Sequence, residues 1–271
     1  MFKGKGKITV GIPFYRETAR EELVAAVDSI LGQSFKPAVI QLIQDGPVRE
    51  ELALTVEKYL AEDSCFVHLR IEVQRGLAYA LNLSILEADT EYYARMDSDD
   101  ISHPRRLEKQ RVFLEENPQV EMVGTWLLEY EKNIDHPENR IRQVPAGQDE
   151  IYRLFHYRNP LNHPTIMFRR SMFAEIGMYN SAFKRAQDTE LYARAFKKLV
   201  GVANIPEVLY YMRASTMLER RASFAQLKYQ MLGRYKYNTW SPYLNLLKIA
   251  SLLFRLLPIR IQQYGYDKYR W

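Results

Sequence analysis

The first hundred residues alternate between two hydrophobic periods, and this alternation restricts the fold more than any other feature of the chain. Four short apolar runs rich in β-branched or aromatic residues read as strands: "KITVGIP" (7–13), "AVIQLIQDGP" (38–47), "VHLRIEV" (67–73) and "EYYARMD" (91–97). Between them, "TAREELVAAVDSILGQSF", "REELALTVEKYLAED" and "GLAYALNLSILEAD" repeat apolar residues at helical spacing; in the first, Glu21 and Glu22 stand near the start and Gly32 near the end. Strands separated by helices pair in parallel through right-handed crossovers. The expected fold is therefore α/β, a Rossmann-like, mostly parallel central sheet flanked by helices.

Ligands of such sheets collect beyond the carboxyl ends of the strands. The polar residues fall there: Tyr15 and Glu17 after the first strand, Asp45 after the second, Gln74 and Arg75 after the third, Asp97 to Asp100 after the fourth. From 101 to 212 the pattern is mixed. Helices are expected over "PRRLEKQRVFLEEN", "DEIYRLFHY" and "QDTELYARAFKKL", strands over "VEMVGTWLLEY", "TIMFRR" and "VANIPEVLYYMR", and loops over 132–148 and "RNPLNHP". One body through residue 212 with an appended tail, 213–271, is the simplest division.

The segment "MDSDD" puts three carboxylates, Asp97, Asp99 and Asp100, within four positions. Their repulsion has three possible uses. They can form a solvated turn or cap the helix opened by His103-Pro104. A twelve-residue calcium loop starting at Asp97 fails, because Ile101 stands where an oxygen ligand is needed and Ser102 where glycine is required. The third use is a site for Mg²⁺ or Mn²⁺ bridging the phosphates of a nucleotide, since hard cations take oxygen ligands.

Five segments, "ITVGIPFYRE", "IQDGP", "QRGLAYALN", "MDSDD" and "AQDTELYARA", occur in the order and near the spacing of the motifs of family 2 glycosyltransferases with the GT-A fold, which the chain resembles over residues 7–212. "NHPTIMFRR" is similar to the subset that builds bacterial exopolysaccharide or lipopolysaccharide repeat units. The resemblance implies an inverting, metal-dependent hexosyltransferase using a nucleotide-sugar donor, with UDP-galactose or UDP-glucose expected, and a saccharide acceptor that is lipid-linked. It implies Asp97 near the ribose or sugar hydroxyls, Ser98 beside it, and Asp99 as ligand to Mn²⁺ or Mg²⁺; Asp100 is expected to cap the following helix. Asp45 would accept a hydrogen bond from the uracil N3–H, which cytosine lacks. Pro13, Tyr15 and Glu17 would run beside base and ribose, with Tyr15 stacked on the base or packed in the core. Arg75 and Asn82 match the third motif, Arg75 balancing phosphate charge. The family's usual Asn is Gln74 here, so Gln74 is left out of the site.

The acceptor hydroxyl must lose a proton as it attacks, and the resemblance makes Asp188 the base. Gln187 replaces the family's common Glu, and Glu190 is assigned to the acidic first turn that a helix dipole favours. His163, in a loop before a short strand, would approach the donor phosphate, the metal or the acceptor, and is counted with Asp99 as a metal ligand. Rival readings are a nucleotidyltransferase acting on a sugar phosphate and a non-catalytic sugar- or membrane-binding derivative. The former commonly has a Gly-rich first loop, and "GIPFYRE" has one glycine.

Charge separates the tail from the body. Residues 213–271 carry eleven Lys/Arg against Glu219 and Asp267, a net of +9, which leaves residues 1–212 at about −4 within the whole-chain +5. In "YLNLLKIASLLFRLLP" (243–258), Asn245, Lys248, Ser251 and Arg255 make one polar stripe on an apolar helix too short and too charged to span a bilayer. With Trp240, Tyr243 and the tyrosines and Trp271 beyond, this reads as a helix lying on the inner membrane, or as one packing on the body or on a second subunit in a homo-oligomer. Nucleic acid fits the broad apolar face less well. A lone Cys65 and an N-terminus without a signal-like apolar run place the body in the cytoplasm, on the cytoplasmic face of the membrane.

Overall fold

A computed structural model describes residues 4–214, 224–254 and 257. The four expected strands form as β1 (Gly4–Phe14), β2 (Val39–Asp45), β3 (Phe66–Ile71) and β4 (Thr90–Arg95), joined by α1 (Arg20–Leu31), α2 (Glu50–Glu62) and α3 (Leu77–Glu87). β1 pairs in parallel with β2 and β4, and β2 with β3, so all four end on the same side.

The rest of the sheet is mixed, as the weaker periodicity after residue 100 requires. β5 (Ile101–Ser102) is followed by α4 (Arg106–Glu116), β6 (Met122–Tyr130), β7 (Arg140–Arg142) and α5 (Gln148–Phe155). A 3₁₀ turn over His163–Thr165 leads into β8 (Met167–Arg169), α6 (Met172–Ile176), α7 (Gln187–Lys197) and β9 (Val202–Arg213). The strand order is β3-β2-β1-β4-β8-β6-β9-β5, with β7 on β6. β8 is antiparallel to β4 and β6, β6 runs parallel to β9, and β5 is antiparallel to β9. Only five residues, Met96 to Asp100, carry the chain from central β4 to the far-edge β5. The Asp97 amide also donates to the Tyr210 hydroxyl of β9 at 3.1 Å. The sheet must therefore curl over the end of β4.

Side chains alternate across the sheet and feed a core on each face. Tyr92 joins the cluster of Ile8, Val10, Ile12, Leu23, Val27 and Leu107, whereas adjacent Tyr93 joins that of Leu81, Ile151, Phe155, Phe168, Leu191 and Phe196. The second cluster is what anchors α7, and with it Asp188, to the sheet.

Two further helices follow, α8 (Phe224–Tyr235) and α9 (Pro242–Phe254). Gly233 of α8 lies against α7, where a Cβ would meet Thr189 Cγ2 at 3.2 Å and the Glu190 nitrogen at 3.3 Å. Lys236, just beyond, pairs with Glu190 at 2.8 Å. Thus part of the basic tail is spent on ion pairs with the body. Arg213 is likewise paired, 3.4 Å from Glu22 of α1 and placed over the Tyr130 ring. Among the described residues no helix is long and apolar enough to cross a membrane. β5, β7, α6 and α8 were not legible as elements; the first three are too short for a period to show. Arg255, the last member of the expected polar stripe, lies outside the described residues.

Candidate active site

The ends of β1, β2 and β4 set the frame. In register, Gly11 of β1 stands opposite Arg95 of β4, and Phe14 opposite Gln44 of β2. Pro13 and Tyr15, both half-buried, thus lie between Asp45 and Asp97, which are two strands apart, about 10 Å laterally. The loop after β1 folds back through the Tyr15 amide donating to Thr18 Oγ1 at 3.2 Å, and Thr18 Oγ1 lies 3.5 Å from Ser98 Oγ. The first and fourth motifs therefore meet, while Glu17 remains exposed.

Asp45 is buried, and its two oxygens accept the Arg75 and Gly76 amides at 2.7 and 2.8 Å. The carboxylate holds the β3–α3 loop, yet each oxygen keeps a lone pair for a further donor. Gly46 closes the same corner at φ 87°, where a Cβ would sit 2.9 Å from the Gln74 nitrogen. Arg75 is exposed, with its guanidinium 5.2 Å from the Tyr79 ring centre.

The acidic segment gathers as the repulsion argument requires for a cation site. Ligand oxygens of Asp97, Asp99 and Asp100 all lie within 4.8 Å of one another. Desolvation in the cleft, then the charge of Asp97, pushes the Asp99 carboxyl up to about 6. Asp100 is buried and is raised well above the ordinary carboxylate value, first by burial and then by its two neighbours. It does not cap a helix: α4 begins after Arg105 without a side-chain cap. Asp100 instead accepts the Arg213 amide at 2.8 Å, tying the acidic loop to β9. Arg213 Nε also donates to the Asp99 carbonyl at 3.3 Å.

Two arginines absent from the sequence reading support this loop. Arg95, the last residue of β4, is buried and pairs with Asp97. Burial opposes its charge, but Asp97 and surrounding tyrosines more than compensate and raise its pKa. Arg106, fully buried, donates to the Arg95 carbonyl and to Gln110 and lies over the Tyr210 ring. An arginine at the end of an apolar strand, directly before "MDSDD", was the available signal for Arg95; Arg106 looked like an ordinary helical cation.

His163 does not join the carboxylates. Its Nε2 lies 2.8 Å from the Tyr179 hydroxyl, and burial followed by the Arg95 charge holds its pKa well below 6.5. The expectation of a metal ligand at His163 is corrected accordingly: among the described residues the gathered ligand atoms are those of Asp97, Asp99 and Asp100, and His163 Nε2 is engaged by Tyr179 instead. Asn82 is also committed. Its Nδ2 donates to the Tyr179 carbonyl at 2.8 Å and its Oδ1 accepts the Tyr179 amide at 2.9 Å. This clamp makes Asn82 a support for Tyr179. Asn82→Ala should cost about 2 kcal/mol, near 1 for each lost hydrogen bond, seen in denaturant melts, with donor affinity unchanged; a loss of donor affinity without loss of stability would return Asn82 to the site.

Asp188 lies in the first turn of α7, half-buried, after Ala186 in the left-handed region at φ 52°. Asn159 Nδ2 donates to its Oδ2 at 3.0 Å. Tyr179 and Tyr192 both feel the charges of Asp188 and Arg95, and Tyr179 that of Asp97 as well. The His163 ring lies against both, 5.6 Å from the Tyr179 ring centre and 6.3 Å from that of Tyr192. Glu190 is buried and paired with Arg194 and Lys236, which hold its carboxyl below the usual range despite the burial. It is a counter-ion joining α7 to the segment after α8, a stronger role than favouring a helix dipole.

The curled mixed sheet, with acids at the end of β4 and on α7, defines a GT-A fold. S. aureus TarS 1–349 in complex with UDP-GlcNAc superposes with a TM-score of 0.68 over 97% of this chain and 76% of that one, at 15% identity. The chain belongs to glycosyl transferase family 2, whose model matches residues 9–177. The amylovoran biosynthesis glycosyltransferase AmsE of Erwinia amylovora is 30% identical over 97% of this chain and 98% of its own. The UDP-Gal:alpha-D-GlcNAc-diphosphoundecaprenol beta-1,3-galactosyltransferase of Escherichia coli is 26% identical over 97% and 96%.

Proposed function

We propose that this family 2 enzyme is an inverting hexosyltransferase of bacterial polysaccharide synthesis, moving galactose or glucose from UDP to a hydroxyl of a lipid-linked oligosaccharide. The observation that carries the reading is the convergence of Asp97, Asp99 and Asp100 at the end of β4 in a chain of this family. The names of two relatives support the substrates: one acts in amylovoran biosynthesis, and the other uses UDP-Gal and an undecaprenol-linked acceptor.

The donor set fits a hard divalent cation, because three carboxylates converge and Asp99 is strained toward neutrality without one. Asp97 and Asp99 would hold Mn²⁺ or Mg²⁺, while Asp100 keeps the loop shaped through Arg213. Such a cation supplies charge to balance the diphosphate and the UDP leaving group.

The chain's own residues perform the remaining work. Arg95 orients Asp97 by direct pairing. Asp45 keeps the β3–α3 loop in place and accepts from the uracil N3–H, with Pro13 and Tyr15 beside base and ribose. Asp188, oriented by Asn159, takes the acceptor proton as the hydroxyl becomes acidic in the transition state. A base on the face opposite the leaving group gives inversion, so an α-linked donor yields a β-linked product. Proton NMR of the product tests this: a large anomeric coupling is expected, and retained configuration contradicts the mechanism.

A further inference from the structure

The α9 helix faces opposite to the way a surface helix with one polar stripe normally faces. Its polar residues point inward: Asn245 Nδ2 donates to the Thr239 carbonyl at 2.9 Å, and Lys248, only 2% exposed, donates to the Tyr237 carbonyl and to Asn238 Oδ1 at 2.7 Å. Ser251 closes on the Lys248 carbonyl at 2.8 Å. The opposite arc is apolar and open to water. Tyr243, Leu246 (64% exposed), Ile249 and Leu253 (59% exposed) follow one another at spacings of three, three and four, and Trp240 at the entry to the helix is fully exposed.

We propose that this face docks on an anionic lipid bilayer, with the inward stripe latching α9 to the preceding segment 237–239. Three observations select lipid. The exposed residues form a continuous apolar stripe along one helix rather than scattered side chains, the form that interfacial helices take. Trp240 and Tyr243 cluster at one end of that stripe, and these side chains favour the headgroup level. The sequence beyond the helix, 255–271, carries Arg255, Arg260, Lys268 and Arg270 against Asp267 alone, which complements anionic headgroups. The inference is independent of the transferase reading: a lipid-linked acceptor gives docking a purpose, but the face exists without it.

The test is co-sedimentation of the full chain with phosphatidylcholine vesicles, with and without phosphatidylglycerol. Binding is expected to the phosphatidylglycerol vesicles, to weaken with salt, and to fall at least about tenfold in Leu246→Glu/Leu253→Glu. Both leucines are exposed, so the melting temperature of that variant should match the parent. Brominated lipid should quench the emission of the parent more than that of Trp240→Phe, a readout that does not depend on the double variant. Equal pelleting of variant and parent, or equal quenching with and without Trp240, overturns the proposal. A parent that ignores vesicles but forms a dimer broken by the double substitution also overturns it and assigns the face to a second copy.

Discussion

Replacing Asp188 by Asn should lower kcat by about 10³-fold while leaving donor affinity unchanged, the range that a positioned general base contributes. Asn keeps the size of the side chain and its place in the first turn of α7, but its amide cannot take the acceptor proton. Asp188 is held by Asn159 and sits on α7 rather than on the loop after β4, so its loss should not disturb the residues proposed to hold UDP. An interaction used only in the transition state lowers kcat and kcat/KM equally. Single-turnover transfer assays with calorimetric donor titrations check this. A variant with parental kcat would remove Asp188 from the mechanism.

Asp99→Ala should abolish the Mn²⁺-dependent gain in melting temperature with a UDP-sugar and lower transfer by about 10²-fold or more, the cost of losing one preorganised electrostatic contact. The pH dependence has a definite sign. Asp99 is raised from 3.8 to about 6, so ionising it is harder in the folded, metal-free protein than in the unfolded chain. As pH rises between those values, the metal-free protein loses that part of its stability, whereas metal binding gains because a proton no longer has to be displaced. Metal affinity should therefore fall by up to about tenfold per pH unit below 6 and level off above it. In Asp99→Ala metal affinity should be lost across that whole pH range. An unchanged metal profile in the variant would place the cation elsewhere.

The strand ends were legible because β1 to β4 and their helices carry clear periods, and a parallel sheet dictates where ligands gather. That logic points to Asp45, Asp97 and Asp99 at the strand ends, whereas Asp188, on a helix, enters only through the resemblance of its motif. What escaped it were partnerships over long sequence distance. Asp100 reads as a cap until the Arg213 amide, 113 positions away, is seen to claim it. Asn82 reads as a donor contact until Tyr179, 97 positions away, is found to occupy both ends of its amide. His163 reads as a ligand because histidine commonly is one; its burial beside Arg95 and Tyr179 is a tertiary fact. The α9 stripe was visible at helical spacing, but spacing shows that a stripe exists and not which way it faces. Arg95 and Arg106 were missed because a buried arginine and a solvated one look alike in sequence.

Support of the acidic loop comes from several directions at once, which explains how its carboxylates stay together. Arg95 pairs with Asp97 from β4, Arg106 braces the Arg95 carbonyl from α4, and β9 supplies both the Tyr210 hydroxyl and the Arg213 amide. The local repulsion is thus balanced by a scaffold drawn from three elements, leaving Asp99 the most open of the three acids.

The most direct test of the account is a calorimetric titration of UDP into the full chain with Mn²⁺ and again with EDTA, with CDP as the comparison nucleotide. The account predicts binding of UDP that requires Mn²⁺ and weaker binding of CDP, because Asp45 is proposed to accept from an N3–H that uracil carries and cytosine lacks. Binding of UDP that persists unchanged in EDTA, or equal affinity for CDP, would contradict it.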